Sequence, residues 1–280
     1  MYIFVSSIGR SGTKFLSEVF KNCTDIPSYH SIEPHCIGDC QTRYNQGYRA
    51  RDSHEIQEKI KQIQKLADKG GNLFESSHIF LRCYATPALA KLDPPIYVIH
   101  LTRDPLETAR SYVNRGSYPN ANDKPWRLRM NLRRNLLYLS EKNDLSPIQR
   151  NLSDWLENEL RYWNLKSKFT DTYDFYFSDI NNIDIWIEMF EKFDIKYDFE
   201  KLKNFIGDTD QDLVDVMNKN SKPTNVTDTD LAQSRELIKI LKRNIVDLSP
   251  FNNSYYSKYQ FIRELLAEPD VELRVPPRNN

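Results

Sequence analysis

The chain has 280 residues, 39% of them hydrophobic, which is enough for one large domain or two small ones. Lysine and arginine together number 39, as do aspartate and glutamate, so the zero net charge gives no indication of binding to nucleic acid or an anionic membrane. No apolar run approaches the roughly 18 residues of a transmembrane helix, and four cysteines do not form a disulfide scaffold in a chain of this length. The chain opens on a strand-like segment with no charged leader, so we expect a cytoplasmic protein.

The hydrophobic pattern predicts strands that alternate with helices. We predict strands at 2–6, 72–76, 95–103 and 173–180. We predict helices at 11–22, 53–69, 80–92, 104–116, 152–169, 182–193 and 199–207. The segments 23–52 and 117–150 are irregular or mixed. This alternation is typical of an α/β fold with a central parallel sheet flanked by helices.

The turn between the first strand and the first helix, GRSGT at 9–13, is built from small residues around one arginine. A helix N-terminus offers unpaired N–H groups and a partial positive charge, and small residues let the backbone approach an anion. The segment therefore predicts a phosphate-binding turn, with Arg10 and Lys14 adding positive charge. It is not a Walker A motif, because Gly9 and Gly12 are three residues apart and Lys14 follows a threonine. No predicted strand ends in an evident magnesium-binding aspartate, which argues against nucleoside triphosphate chemistry.

Two motifs in this chain resemble those of the PAPS-dependent sulfotransferases. GRSGTKFL (9–16) is similar to the loop that binds the 5′-phosphosulfate of PAPS in that family. VIHLTRDPLETARSY (98–112) is similar to the family's 3′-phosphate-binding segment, in which an arginine ends a strand and a serine follows eight residues later; here these are Arg103 and Ser111. Further elements in family order are FESSH between the motifs, a tryptophan-rich helix and YFSDI.

This resemblance covers about residues 1–206. It implies a single domain over 1–280 with a three-layer P-loop-like fold, and a helical C-terminal extension over 207–280. The implied activity is the transfer of a sulfuryl group from PAPS to a hydroxyl or amine of a small or medium-sized acceptor, with release of PAP. No metal is expected.

The resemblance also assigns roles to individual residues. Those expected to bind the donor are Gly9, Arg10, Ser11, Gly12, Thr13, Lys14, Arg103 and Ser111. Arg10 is expected to stabilise the negative charge that grows on the bridging oxygen as the S–O bond breaks. Its role should be electrostatic, because arginine stays charged near neutral pH. Lys14 departs from the family's common second threonine, so it either reaches a phosphate or lies on the helix surface.

An alcohol acceptor needs a general base, and the resemblance leaves two candidates open. Glu33, in YHSIEPHC, lies where carbohydrate, tyrosine and several bacterial sulfotransferases have a catalytic glutamate. We favour it, since a carboxylate partly removed from water becomes a usable base. His78 lies where cytosolic small-molecule enzymes have a catalytic histidine, although Ser76 replaces the lysine of their motif. The structural alternatives are a salt bridge from Glu33 to an arginine such as Arg43, and a hydrogen-bonded core histidine at 78.

Other segments carry weaker indications. The spacing of His30, His35, Cys36 and Cys40 fits no common zinc module. The basic segment 114–139 lies where the family often has an acceptor-site lid, and an amphipathic surface helix is an equal alternative there. Its candidate contacts are Tyr118, Trp126, Arg127, Arg129, Arg133 and Arg134. Lys219 and Lys222 are candidates for closing over the nucleotide.

Two other functional classes remain open at this point. One is a P-loop kinase-like enzyme, which the missing glycine before Lys14 and the lack of a magnesium site disfavour. The other is a non-catalytic nucleotide-binding scaffold on the same fold, which the presence of Arg10, Arg103 and Ser111 disfavours. The acceptor and the oligomeric state are not predicted.

Overall fold

The computed structural model of the chain describes residues 1–36, 53–115, 135–137, 139, 145–207, 225–242, 248–252 and 256–267. The chain divides into two compact units. The first contains the described residues of 1–103 and 164–207, and the second contains those of 104–163 and 225–267. That 1–280 form a single domain stays a prediction.

A parallel sheet of five strands organises the first unit. The strands are β1 (Tyr2–Ser6), β2 (Ser28–His30), β3 (Leu73–Ser76), β4 (Ile96–Thr102) and β5 (Asp171–Tyr176). Their order in the sheet is β2-β3-β1-β4-β5, and every pairing is parallel. The residues that follow all five strands therefore meet at one edge, which is where parallel α/β sheets bind their ligands.

Helices surround this sheet in the first unit. They are α1 (Thr13–Cys23), α2 (His54–Gly70) and α3 (Ala85–Lys91), the last preceded by a π-helical turn at Phe80–Tyr84, and later in the chain α6 (Ile183–Lys192) and α7 (Phe199–Gly207). Gly71 ends α2 with a left-handed φ of 72°, as expected for a glycine just past a helix. The predicted α/β fold with a parallel sheet and flanking helices is confirmed.

The two faces of the sheet are covered by different helices. On one face, side chains of alternate strand residues such as Ile3 and Val5 join a buried cluster with α1, α6 and α7. The rings of Phe20 and Phe74 stack in that cluster with centroids 3.8 Å apart. On the other face, Phe4 stacks on Phe80 of the π-helical turn, with ring centroids 4.6 Å apart. The alternation of side chains along a strand thus produces three layers.

The second unit is helical in its described part. It contains α4 (Pro105–Asn114), most of α5 (Pro147–Leu165), α8 (Asp228–Leu241) and α9 (Gln260–Ala267). Trp155 and Trp163 share one face of α5, as their spacing predicts, because both rings lie 6.2 Å from the ring of Tyr256. Among the helices that the structure describes, none has both the length and the apolar character needed to cross a membrane.

Candidate functional site

The turn between β1 and α1 has the backbone conformation that its small residues allow. Arg10 and Gly12 both adopt left-handed backbone angles, with φ of 70° and 94°. Gly12 is the N-cap of α1 and has no side chain of its own to cap the first N–H groups of the helix. A Cβ atom on Gly12 would lie 3.0 Å from two ring carbons of Phe177, so glycine is required by space as well as by φ. The turn therefore exposes the start of α1 in the way an anion site needs.

The polar side chains of this turn differ in their surroundings. Ser11 is fully buried, and its hydroxyl has no hydrogen-bond partner among the described residues. Buried polar groups are nearly always paired in native proteins, so this hydroxyl fits a bound ligand. Thr13 is also buried, whereas Lys14 is exposed. The exposure of Lys14 leaves both alternatives for its side chain open, so its role toward a phosphate stays a prediction.

Arg103 joins the second motif to the first. It directly follows β4, and its Nη1 donates a hydrogen bond to the backbone carbonyl oxygen of Arg10 over 3.3 Å. Its guanidinium lies over the ring of Phe177, 4.5 Å from the ring centroid. Two motifs more than 90 residues apart in sequence thus meet at the carboxyl edge of the sheet.

Phe177 is a site residue that the sequence reasoning missed. It directly follows β5 and contacts both Arg103 and the position where a Gly12 side chain would be. The signal was present in YFSDI, the element in family order, but the pattern did not show which of its side chains would face the first turn.

The remaining donor-binding candidate, Ser111, belongs to α4 in the second unit. The predicted start of this helix is confirmed, since Asp104 is its N-cap and its Oδ1 accepts a hydrogen bond from the Glu107 N–H at 3.0 Å. Ser111 is buried on the helix, at 3% exposure. Its role toward a phosphate group stays a prediction.

Glu33 lies in the stretch after β2 and is exposed to solvent. Its side chain is 77% exposed, and its Oε1 lies 2.7 Å from Nε2 of His35. The expectation that this carboxylate is partly removed from water is therefore wrong. The alternative of a salt bridge to an arginine such as Arg43 stays untested, because Arg43 lies outside the described residues; the contact that the structure describes is with a histidine two residues away.

His78 follows β3 and is affected by its neighbours' charges. Desolvation by burial, together with the positive charge of Arg82 and of two other histidines, lowers the pKa of His78 to about 4. These two histidines are His30 and His35, so the imidazole of His78 lies near the Glu33–His35 pair. At neutral pH His78 is therefore uncharged.

His30 takes part in the same region, although the sequence reasoning considered it only as a metal ligand. Its Nδ1 lies 2.9 Å from Oγ of Ser76, and desolvation, reinforced by Lys14, lowers its pKa. Burial raises the pKa of the Cys36 thiol well above its usual range. Within the described residues, no group of three His, Cys, Asp or Glu side chains could hold a metal ion.

Several of the predicted residues lie outside the described part of the chain. They are Cys40, Tyr118, Trp126, Arg127, Arg129, Arg133, Arg134, Lys219 and Lys222. The predicted acceptor-site lid and the predicted nucleotide cover stay predictions for that reason.

Comparisons with known proteins give a distant likeness. No protein-family model matches the chain, and no curated protein matches it. One similar solved structure is the sulfotransferase domain from the Synechococcus PCC 7002 olefin synthase, at 13% identity and a TM-score of 0.46, with 83% of this chain and 92% of that chain covered. Another is the sulfotransferase domain from the curacin biosynthetic pathway, at 12% identity and a TM-score of 0.46, with 84% of this chain and 96% of that chain covered. Identities and TM-scores this low assign no activity.

Proposed function

We propose that this protein is a sulfotransferase that moves a sulfuryl group from PAPS to a hydroxyl or amine of a small or medium-sized acceptor and releases PAP. The observation that carries the proposal is the hydrogen bond from Arg103 to the carbonyl of Arg10. It brings the strand-ending arginine of the second motif against the turn that opens the first helix.

The first turn supplies the groups that a 5′-phosphosulfate requires. The N–H groups at the start of α1 and the partial positive charge of the helix favour an anion. The buried hydroxyl of Ser11 and the hydroxyl of Thr13 add hydrogen-bond donors beside them. Because the backbone at Gly12 carries no side chain, the phosphate can approach closely.

Arg10 is proposed to act on the reaction itself. When the S–O bond of PAPS breaks, its electron pair stays on the bridging oxygen, which becomes a phosphate oxygen of PAP. A cation directed at this oxygen stabilises the transition state more than the ground state. The left-handed backbone of Arg10 in the middle of the turn is the kind of strained conformation found at functional sites.

Arg103 and Ser111 keep the role that the sequence motif assigns them, which is to hold the 3′-phosphate. The contact of Arg103 with Phe177 supports this assignment for the arginine, because a guanidinium stacked on a ring loses little further freedom when it binds an anion. For Ser111 the support is its place in the motif and its burial on α4.

The acceptor's proton goes to a base at the same edge of the sheet, and we propose Glu33 for this role. Oε1 of the carboxylate lies 2.7 Å from Nε2 of His35, so the imidazole orients it. His78 is the second candidate. Desolvation lowers its pKa to about 4, so it is uncharged at neutral pH.

The experiment that tests the function is ligand binding followed by turnover. PAP without metal should raise the melting temperature, with a gain in the free energy of unfolding of about 2.7 kcal/mol at a PAP concentration 100 times Kd. ATP with magnesium is the comparison ligand. Stabilisation by ATP with magnesium and not by PAP would overturn the proposal in favour of a kinase-like enzyme. An acceptor screen with labelled PAPS then separates an enzyme from a nucleotide-binding scaffold, since only an enzyme transfers the label.

A further inference from the structure

The segment that carries Glu33 is residues 31–36, which we term the Glu33 segment. It leaves β2 through Ser31, whose backbone is left-handed with φ of 63°. The Ser31 N–H donates to the carbonyl of Ser76 at 3.0 Å, which continues the pairing of β2 with β3 by one residue. Beyond Ser31 that ladder ends, and the position of Glu33 depends on other contacts.

A buried ion pair binds the backbone of the next residue, Ile32. Lys59 of α2 and Glu75 of β3 are both fully buried, and Nζ of Lys59 lies 2.5 Å from Oε1 of Glu75. The N–H of Ile32 donates to Oε1 of Glu75 at 2.9 Å, and Nζ of Lys59 donates to the carbonyl oxygen of Ile32. The two charged side chains thus bind both the N–H and the carbonyl oxygen of Ile32, the residue directly before Glu33.

Stability alone does not account for this arrangement. Removing two charges from water is costly, and a buried ion pair is often replaced by apolar residues of similar volume without loss of stability. Lys59 is also the one charged side chain on the buried face of α2, whose other buried residues are Ile56, Ile60, Ile63 and Ala67. Its Nζ lies 5.2 Å from the ring centroid of Tyr84, so the ammonium is enclosed on that side too. An arrangement that is costly and geometrically specific indicates that position, rather than burial, is its role.

We propose that Lys59 and Glu75 are positioning residues that hold Ile32 and thereby place Glu33 and its partner His35 at the edge of the sheet. The effect of the pair on catalysis rests on the proposed function, whereas its effect on the backbone does not. Neither side chain is proposed to touch a substrate.

The decisive variant removes both charges together, as Lys59→Met with Glu75→Leu. Because no unpaired charge remains, we expect this double variant to fold cooperatively and to gain the same melting-temperature shift from PAP as the wild type. Hydrogen exchange of the amides in the Glu33 segment should become faster. Turnover should fall by about 10- to 100-fold, since a small misplacement of a reacting group has effects of that size, while the KM for PAPS stays unchanged.

A double-mutant cycle separates positioning from general damage. If the pair acts through Glu33, adding Glu33→Gln to the double variant should lower turnover far less than Glu33→Gln does alone. Asp174→Asn is the matched control, because it breaks an ion pair with Lys166 (2.9 Å) in the same unit, on the opposite edge strand β5. This control should keep wild-type turnover and wild-type exchange in residues 31–36.

The double variant Lys59→Met with Glu75→Gln gives a second test if the first double variant does not fold. It leaves no unpaired charge and keeps an oxygen for the Ile32 N–H, so we expect faster exchange in the Glu33 segment and a smaller fall in turnover. Unchanged exchange in the Glu33 segment of a folded variant would overturn the inference, and so would fully additive losses in the cycle. Failure of the wild type to bind PAP would instead overturn the proposed function, and hydrogen exchange would still decide whether the pair holds the segment.

Discussion

The guanidinium of Arg103 donates a hydrogen bond to the backbone carbonyl of Arg10, 3.3 Å away, and lies over the ring of Phe177. One arginine therefore supports the turn that is proposed to hold the 5′-phosphosulfate, while its motif assigns it to the 3′-phosphate. Its replacement should affect both ends of the nucleotide. Replacement of a residue that contacts only the 3′-phosphate should weaken binding at that end alone.

This difference predicts distinct results for Arg103→Ala and Ser111→Ala. Ser111→Ala should weaken PAP binding and leave 5′-AMP binding unchanged. Arg103→Ala should weaken PAP binding by about 10- to 100-fold, the usual effect of a lost hydrogen bond to a charged group, and also weaken 5′-AMP binding. Calorimetry with both ligands measures this. An undiminished preference for PAP over 5′-AMP in both variants would mean that other residues hold the 3′-phosphate.

Gly12→Ala should destabilise the protein for two separable reasons. Its φ of 94° costs a residue with a Cβ atom about 1–2 kcal/mol, and the new methyl group would lie 3.0 Å from the Phe177 ring. Gly71→Ala is the matched control, because φ there is 72° and no atom of the described residues lies within 4 Å of the added Cβ. Urea unfolding should show a larger loss of stability for Gly12→Ala than for Gly71→Ala. Equal losses of stability in the two variants would mean that the contact with Phe177 does not contribute to the loss.

Arg10→Ala should reduce turnover much more than it reduces PAP affinity. The arginine is proposed to meet a charge that develops only as the S–O bond breaks, and loss of one such donor typically costs about 10²–10³ in kcat. Arg10→Lys should restore part of the rate, although a point charge cannot reproduce a two-pronged contact. Normal turnover with poor PAP binding in Arg10→Ala would reassign the residue to ground-state phosphate binding.

His78 should make stability depend on pH whether or not the protein is an enzyme. Its pKa falls from an ordinary value near 6.5 to about 4, so between these values the unfolded chain binds more protons than the folded protein. The free energy of unfolding should therefore fall as pH is lowered from 6.5 to 4, by up to about 3 kcal/mol, and the penalty is constant below pH 4. Urea unfolding of the wild type and of His78→Asn from pH 4 to 7 measures this. A wild-type slope that persists in His78→Asn would assign it to other groups.

The sequence predicted the framework of the site better than its supporting residues. β1, the turn after it and the capped start of α4 are encoded locally, by an apolar run, small residues and the Asp104–Pro105 pair, and each was located within two residues. β2 was missed because Ser28–His30 is short and only partly buried, so its strand conformation comes from pairing with β3 rather than from its own pattern.

The sequence pattern also did not predict that two charged residues would be buried. Lys59 lies in a helix whose composition indicates a solvated face, and Glu75 lies in a strand whose neighbours are apolar or small. Each is buried only because the other is opposite, and a pairing across 16 residues leaves no periodic signal. The exposure of Glu33 was misjudged for a related reason, since the path of the backbone after Ser31 depends on that pair.

The identity of the general base is the sharpest remaining question about the proposed mechanism, and Glu33→Gln against His78→Ala addresses it. Glutamine keeps the size and the hydrogen bonding of Glu33 but cannot take a proton, and the exposed side chain makes damage to the fold small. Glu33→Gln should abolish most turnover and leave the PAP-induced melting shift intact, while His78→Ala should be milder. The measurement is kcat against pH at saturating PAPS, in which the wild type should lose rate as its base is protonated and Glu33→Gln should lack that limb. If Glu33→Gln keeps near-normal turnover and His78→Ala abolishes it, the base is the histidine. If neither matters, the acceptor is an amine or an already ionised oxygen, for which no strong base is required.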